Sequence, residues 1–143
     1  MNEVYDDEFA LRALKMSDQE FDVLVRGLVQ NGLDDGDIGY AHWWNIAHNL
    51  KMKRMALVLH RESIKLVQED PASINGALAV LSEWLKEPYP ASRVLEWQRI
   101  LRDHDWDTAL SISKDGVDLR ELSPCSFALP EDVRFGIVRQ YYR

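Results

Sequence analysis

The 143-residue chain contains a single cysteine, Cys125, so an internal disulfide is impossible. A chain of this length buries roughly 70% of its unfolded surface and needs no covalent staple. No apolar stretch approaches the ~18 residues that a membrane span requires, and the N-terminus lacks the basic start and apolar run of a secretory signal. These absences predict one cytoplasmic domain over residues 1–143, with no membrane partner.

Motifs of known chemistry are also missing. The sequence holds no glycine-rich phosphate loop, no H-E-x-x-H and no C-x-x-C pair. His42 and His48 are six residues apart, which places them on opposite sides of a helix and is unsuited to a shared metal ion. The residues beside Cys125 supply neither a base nor a positive field to activate its thiol. We therefore expect no catalytic residue, no metal site and no cofactor.

Helical periodicity is abundant in this sequence. Ser17 and Glu20 have the spacing of a capping box, and they precede an apolar face that repeats at helical spacing. Asp70 followed by a proline indicates another helix start, and the two prolines of EPYP end that helix. The sequence therefore predicts an all-α fold, a compact bundle of six or seven helices. The predicted helices cover 8–14, 17–31, 40–49 and 50–68 (separate or continuous), 71–86, 91–103, 106–113 and 130–141.

Two segments carry other signals. Gly32–Gly39 contains three glycines and three aspartates and is predicted to be a loop. It superficially resembles a calcium loop, but the EF-hand spacing is absent, so turn chemistry explains its aspartates better. Near 109–122, apolar and polar residues alternate around an Asp-Gly pair. This pattern indicates a small β-hairpin as the alternative to a short helix from Trp106.

The net charge of −7 is unevenly distributed, because residues 1–40 hold ten acidic side chains and only three basic ones. In contrast, a basic stripe formed by Lys51, Arg54, Arg61 and Lys65 falls within about 80° on one predicted helix. The stripe could bind a phosphate backbone, the carboxylates of a partner, or the chain's own acidic N-terminal segment. An ordinary solvated face with weak ion pairs is the alternative interpretation.

Tryptophan is frequent, with five residues. Three of them occupy apolar helical positions and are predicted to lie in the core: Trp84, Trp97 and Trp106. Trp43 and Trp44 are adjacent, so their side chains point about 100° apart on a helix, and both can be buried only in a wide helix interface. Tyr40 lies one turn before them. This aromatic cluster is therefore either core or an exposed anchor for a partner.

Together these features favour a non-enzymatic binding protein over an enzyme. The expected partner is a basic protein, engaged through an acidic, aromatic-bearing surface, as in an antitoxin or immunity protein that neutralises a toxin. The alternatives are a nucleic-acid-associated regulator that uses the basic stripe, and an enzyme whose site is assembled from scattered residues. The residues predicted to take part in interactions are Asp34, Asp35, Asp37, Tyr40, Trp43, Trp44, Lys51, Arg54, Arg61 and Lys65.

Overall fold

The computed structural model describes residues 6–34, 36–88, 91–113, 116, 119–120 and 123–141, without the side chains of 36–40. Within these residues the regular secondary structure is helical, which confirms the all-α prediction. The elements are α1 (Asp7–Leu14), α2 (Asp18–Asp34), α3 (Gly36–Glu69), α4 (Pro71–Trp84), α5 (Ala91–Asp103), α6 (Trp106–Ala109), a 3₁₀ turn (Ser126–Ala128) and α7 (Glu131–Tyr141). Over the same ranges, no helix is both long and apolar enough to cross a bilayer.

The chain divides into two compact units, an N-terminal unit of residues 1–55 and a C-terminal unit of residues 56–143. The first part of α3 belongs to the N-terminal unit and its remainder to the C-terminal unit. Because α3 runs from Gly36 to Glu69, the two predicted helices over 40–49 and 50–68 are one continuous helix. The organisation of 1–143 as a single domain stays a prediction.

Capping side chains start the first two helices of the N-terminal unit. Asp6 accepts a hydrogen bond from the backbone N–H of Phe9 at 3.0 Å, which caps α1. Ser17 and Glu20 form the predicted capping box, in which each side chain accepts from the backbone N–H of the other, at 3.2 and 3.1 Å. Apolar residues of α1, α2 and α3 then form one core: Ala10, Ala13, Phe21, Leu28, Ala47 and Leu50.

The predicted loop over Gly32–Gly39 was wrong for the residues that the structure describes. α2 continues to Asp34, and α3 begins at Gly36. Gly32 is buried on the face of α2 that also carries Phe21 and Leu28, so core packing extends the helix past residues of poor helical propensity. Asp35 lies outside the described residues, as do the side chains of Asp37 and Tyr40.

The C-terminal unit has its own core, in which α4 packs against α5 as the short connection between them predicts. Trp97 is fully buried, and its indole N–H donates to the carbonyl oxygen of Leu119 at 3.0 Å. Trp84 and Trp106 are partly buried and pack against this core, as predicted. The other buried members are Ile64, Val67, Ala77, Leu81, Val94, Ile100, Leu101, Ala109, Leu119 and Cys125.

The segment after α5 contains a short helix and no described strand. Asp105 caps α6 by accepting from the backbone N–H of Thr108 at 3.3 Å, but α6 ends at Ala109, earlier than predicted. Beyond it the chain turns back so tightly that a Cβ on Gly116 would lie 1.9 Å from the carbonyl oxygen of Ser111. In the part of 109–122 that is described, Gly116, Leu119 and Arg120 are helical, so these residues do not form the hairpin alternative.

Candidate interaction surface

The two adjacent tryptophans of α3 have different environments. Trp43 is half-buried and packs against the core of the N-terminal unit. Trp44 is 47% exposed, because the next position of the helix points away from that core. Its indole stacks on the imidazole of His48, one turn later, with ring centroids 4.7 Å apart and planes inclined by 7°. The exposed indole of Trp44 is therefore packed on one face by a side chain of its own helix.

The acidic side chains of the N-terminal unit lie at its surface. All seven acidic residues described between 6 and 34 are exposed: Asp6, Asp7, Glu8, Asp18, Glu20, Asp22 and Asp34. The three bases of this region, Arg12, Lys15 and Arg26, are exposed as well, and Arg26 pairs with Asp22 at 2.9 Å. The described surface of this segment is therefore predominantly negative.

Several of these carboxylates have a local structural role as well. Asp6 and Glu20 cap helix starts, and the hydrogen bond from the backbone N–H of Ser17 lowers the pKa of Glu20. Asp34 accepts a hydrogen bond from the side-chain amide of Gln30 at 3.1 Å. Acidic groups near helix N-termini also interact favourably with the helix dipole. Helix capping thus accounts for part of the clustering, while the charge itself stays exposed to solvent.

Arg54 does not belong to an exposed basic stripe, which corrects that part of the sequence prediction. Its side chain is 5% exposed. One guanidinium nitrogen, Nη1, donates to the carbonyl oxygens of Leu14 and Met16 at 2.8 and 3.0 Å, and Nη2 donates to Asp18 Oδ1 at 2.7 Å. Arg54 occupies the buried face of α3, and there it binds the carbonyls that end α1 together with an acid of the N-terminal segment.

The remaining members of the stripe differ in exposure and belong to different units. Lys51 is half-buried in the N-terminal unit, whereas Arg61 and Lys65 are exposed in the C-terminal unit. Of the three binding modes weighed from the sequence, Arg54 adopts the internal one, with the chain's own Asp18. The prediction that Lys51, Arg61 and Lys65 contact nucleic acid or a partner stays a prediction.

The thiol of Cys125 is poorly suited to nucleophilic catalysis. Cys125 is completely buried, and burial raises the pKa of its thiol to about 12. At neutral pH the thiol is therefore protonated, whereas a nucleophile requires the thiolate. Cys125 packs as a small apolar residue in the core of the C-terminal unit.

His60 is the buried histidine of the C-terminal unit. Burial lowers the pKa of His60 to about 4, so the ring is neutral at neutral pH. Its Nε2 lies 2.7 Å from the carbonyl oxygen of Ala109, which makes Nε2–H the donor. The ring also meets the indole of Trp97 edge-to-face, with centroids 5.9 Å apart. These contacts describe a core histidine that fixes α6 to α3.

The described histidines do not come together in a metal site. His42 and His104 are exposed and lie against their neighbouring tryptophans, Trp43 and Trp106. Within the described ranges, no group of three or more histidine, cysteine or carboxylate side chains is placed to hold a metal ion.

Described residues of the C-terminal unit line at least two surface depressions. A depression of about 500 Å³ at the end of α4 is lined by Glu83, Trp84, Glu87 and Pro88. A second, of about 300 Å³, is lined by Asp107, Thr108, Ser111, Ser113, Gly116 and Leu119. In the second, the hydroxyls of Ser111 and Ser113 bond to each other at 2.9 Å. Neither set of lining residues includes a histidine or Cys125.

Comparisons of the chain with models of protein families, with curated proteins and with solved structures find no significant match. The function is therefore inferred from the geometry and charge of the described residues.

Proposed function

We propose that this protein is a non-enzymatic binding protein whose N-terminal unit engages a basic protein partner, with Trp44 as the aromatic anchor. The observation that carries the proposal is the 47% exposure of the Trp44 indole while it is stacked on His48. Tryptophan is enriched among the residues that dominate binding energy at interfaces. A ring that already packs on a neighbouring side chain loses less side-chain entropy on binding than an unpacked one, which favours affinity.

The charge of the N-terminal unit supports a basic partner. Its seven described acidic residues between 6 and 34 are all exposed, so they contribute a negative field at the surface. Such a field accelerates the encounter with a positively charged protein and disfavours acidic competitors. A concrete form of this function is an antitoxin or immunity-type neutraliser that covers a cationic active site in the cytoplasm.

Exposed apolar side chains on α2 supply contact area for the same partner. Val23 and Leu33 are 64% and 61% exposed, although both are large apolar residues in a helix whose other face is buried. Val23 follows the exposed Asp22 directly. Apolar groups within a charged surrounding are the composition expected of an interface core with a polar rim.

A pull-down with matched variants tests this function. The full chain is immobilised, and lysate of the source cell is applied at low and at high salt. We expect a basic protein to be retained at low salt and released at high salt. The same protein should not be retained when the immobilised chain carries Trp44→Ala. Phe135→Ala is the control, because Phe135 is an aromatic residue of similar exposure, 56%, in the C-terminal unit.

The outcomes separate a specific anchor from general stickiness. Trp44→Ala should weaken retention of the partner by about tenfold or more, equivalent to at least 1.4 kcal/mol, while Phe135→Ala retains it. Both side chains are exposed, so circular dichroism should show both variants folded. The proposal fails if no protein is retained at low salt, or if the two variants retain the partner equally.

A further inference from the structure

The last helix that the structure describes, α7, is held to the C-terminal unit by little buried surface. None of its residues, Glu131–Tyr141, is buried. Its inner side is formed by half-buried side chains at helical spacing, which are Arg134, Ile137, Val138 and Tyr141. Val133 and Phe135, on either side of this stripe, are 38% and 56% exposed. In contrast, α5 buries five of its 13 residues, including Trp97. Because hydrophobic stabilisation follows the apolar area removed from water, α7 is bound less strongly than α5.

The arginines of α7 make exposed hydrogen bonds. Arg134 Nη2 donates to the carbonyl oxygen of Ser126, in the preceding 3₁₀ turn, at 2.9 Å. Arg139 Nε donates to the carbonyl oxygen of Phe135, within α7 itself, at 3.4 Å. Water readily replaces the acceptor of an exposed hydrogen bond, so the net contribution of the contact with Ser126 is small. This contact positions α7 without holding it firmly.

The chain just before α7 forms a boundary between the helix and the rest of the unit. Leu129 is 5% exposed and has an extended backbone, with φ −84° and ψ 118°, so the 3₁₀ turn ends before α7 begins. Pro130 follows, and proline has no backbone N–H to bond to the turn. Because Leu129 is buried, it anchors the chain at this point, and α7 can move away without displacing the residues before it.

A detached α7 is too short to remain helical. It has 11 residues, and isolated helices shorter than about 12–15 residues are marginal in water. Gly136, near its middle, lowers its helical propensity further. Detachment and unwinding of α7 are therefore one event, in which its backbone N–H groups lose their hydrogen bonds and become able to exchange with solvent.

We infer that α7 is a detachable strap, a helix that leaves the C-terminal unit and unwinds while the core around Trp97 and Cys125 stays packed. Proteins open locally where few buried apolar contacts hold an element, and α7 meets this description. The opening uncovers the half-buried stripe of α7, so this segment can change its contacts without global unfolding. The strap shares no residue with the Trp44 surface, and its test does not depend on a partner.

Hydrogen exchange of the full chain, followed for each amide by NMR, tests this inference. After correction for intrinsic rates, we expect the amides from Phe135 to Tyr141 to exchange at least about a hundredfold faster than those from Trp97 to Leu101. In dilute urea the α5 amides should accelerate while the α7 amides change little, because a local opening exposes less surface than global unfolding. Cys125 is completely buried, so its protection against a thiol reagent should match that of the α5 amides.

Two glycine variants separate local opening from global unfolding. Gly136 and Gly27 are helical positions where an added Cβ meets nothing within 4 Å, so alanine stabilises either helix without new contacts. Gly136→Ala should slow exchange in α7 by about threefold to fivefold and leave α5 unchanged. Gly27→Ala, the matched control in α2, should leave exchange in α7 unchanged. Equal protection of α7 and α5, equal slowing of both helices by Gly136→Ala, slowing of α7 by Gly27→Ala, or protection of Cys125 no greater than that of α7 would overturn the inference.

Discussion

Replacement of Arg54 by methionine is expected to destabilise the N-terminal unit by about 2–4 kcal/mol. Its guanidinium donates to the carbonyls of Leu14 and Met16, and the Leu14 bond is buried. A hydrogen bond with a charged donor contributes ~1.5–3 kcal/mol, and a buried carbonyl left unpaired costs ~1–3 kcal/mol. Methionine keeps much of the aliphatic stem, so the loss reports mainly on these polar contacts.

The free energy of unfolding, measured in urea by circular dichroism, checks this magnitude against two controls. Arg61→Met makes the same change at an exposed position of the same helix and should alter stability by no more than ~0.5 kcal/mol. Asp18→Asn breaks the ion pair but leaves both carbonyl contacts in place. Because the Asp18 side chain is 95% exposed, its loss should cost only about 0–1 kcal/mol.

Two results would refute this reasoning about Arg54. If Arg54→Met were as mild as Arg61→Met, the guanidinium would have no capping function for the end of α1. If Asp18→Asn were as damaging as Arg54→Met, the ion pair rather than the two carbonyl bonds would carry the stabilisation.

Two further predictions concern the C-terminal unit and α2. Burial lowers the pKa of His60 from 6.5 to about 4. The neutral, buried ring therefore contributes fully to the free energy of unfolding above pH 6.5. As the pH falls toward 4, the free energy of unfolding should decrease by roughly 3 kcal/mol. The free energy of unfolding in urea, measured across this pH range, should therefore fall more steeply for the original chain than for His60→Gln. Parallel plots of this free energy against pH would contradict the prediction. Gly116→Ala places a Cβ against Ser111 and should destabilise by about 1–3 kcal/mol. Gly27→Ala, where α2 leaves open space, should stabilise by about 0.5–1 kcal/mol. Melting temperatures that shift in the same direction for both glycines would refute this contrast.

The features that the sequence predicts well are those governed by neighbouring residues. The capping box of Ser17 and Glu20 and the cap at Asp70 form with the expected partners, because each bond spans only two or three residues. The connection between α4 and α5 is likewise short, so it leaves few arrangements other than packing of the two helices. Local stereochemistry is sufficient in these cases.

The position of Arg54 shows what charge patterning misses. The angular positions of residues around a helix show which side chains share one side, but they do not show whether that side faces the core. Ala47 and Leu50 lie seven and four residues before Arg54, and both are buried. That apolar spacing was the available signal that Arg54 shares the buried face. The carbonyls that it binds come from residues about 40 positions earlier, which no local pattern reveals.

The continuation of helix through part of the predicted loop has a similar origin. Glycine and aspartate disfavour helix in isolation, by up to about 1 kcal/mol for each glycine. Gly32 nevertheless packs on the core face of α2, and the helix persists to Asp34. When one helix buries several large side chains, the burial stabilises the helix by more than these propensities destabilise it. A prediction based on composition alone therefore makes the loop too long.

Helix capping and partner binding are compatible explanations for the acidic N-terminal segment. A cap at a position such as Asp6 requires a side-chain oxygen acceptor, which serine, threonine or asparagine also provides without charge. A carboxylate in the same place makes the local hydrogen bond and still contributes its full charge to the surface. The local role therefore explains why acceptors stand at these positions, but it does not by itself explain why residues 1–40 contain ten acids against three bases. In the function proposed above, this excess charge is what attracts a basic protein toward the exposed indole of Trp44.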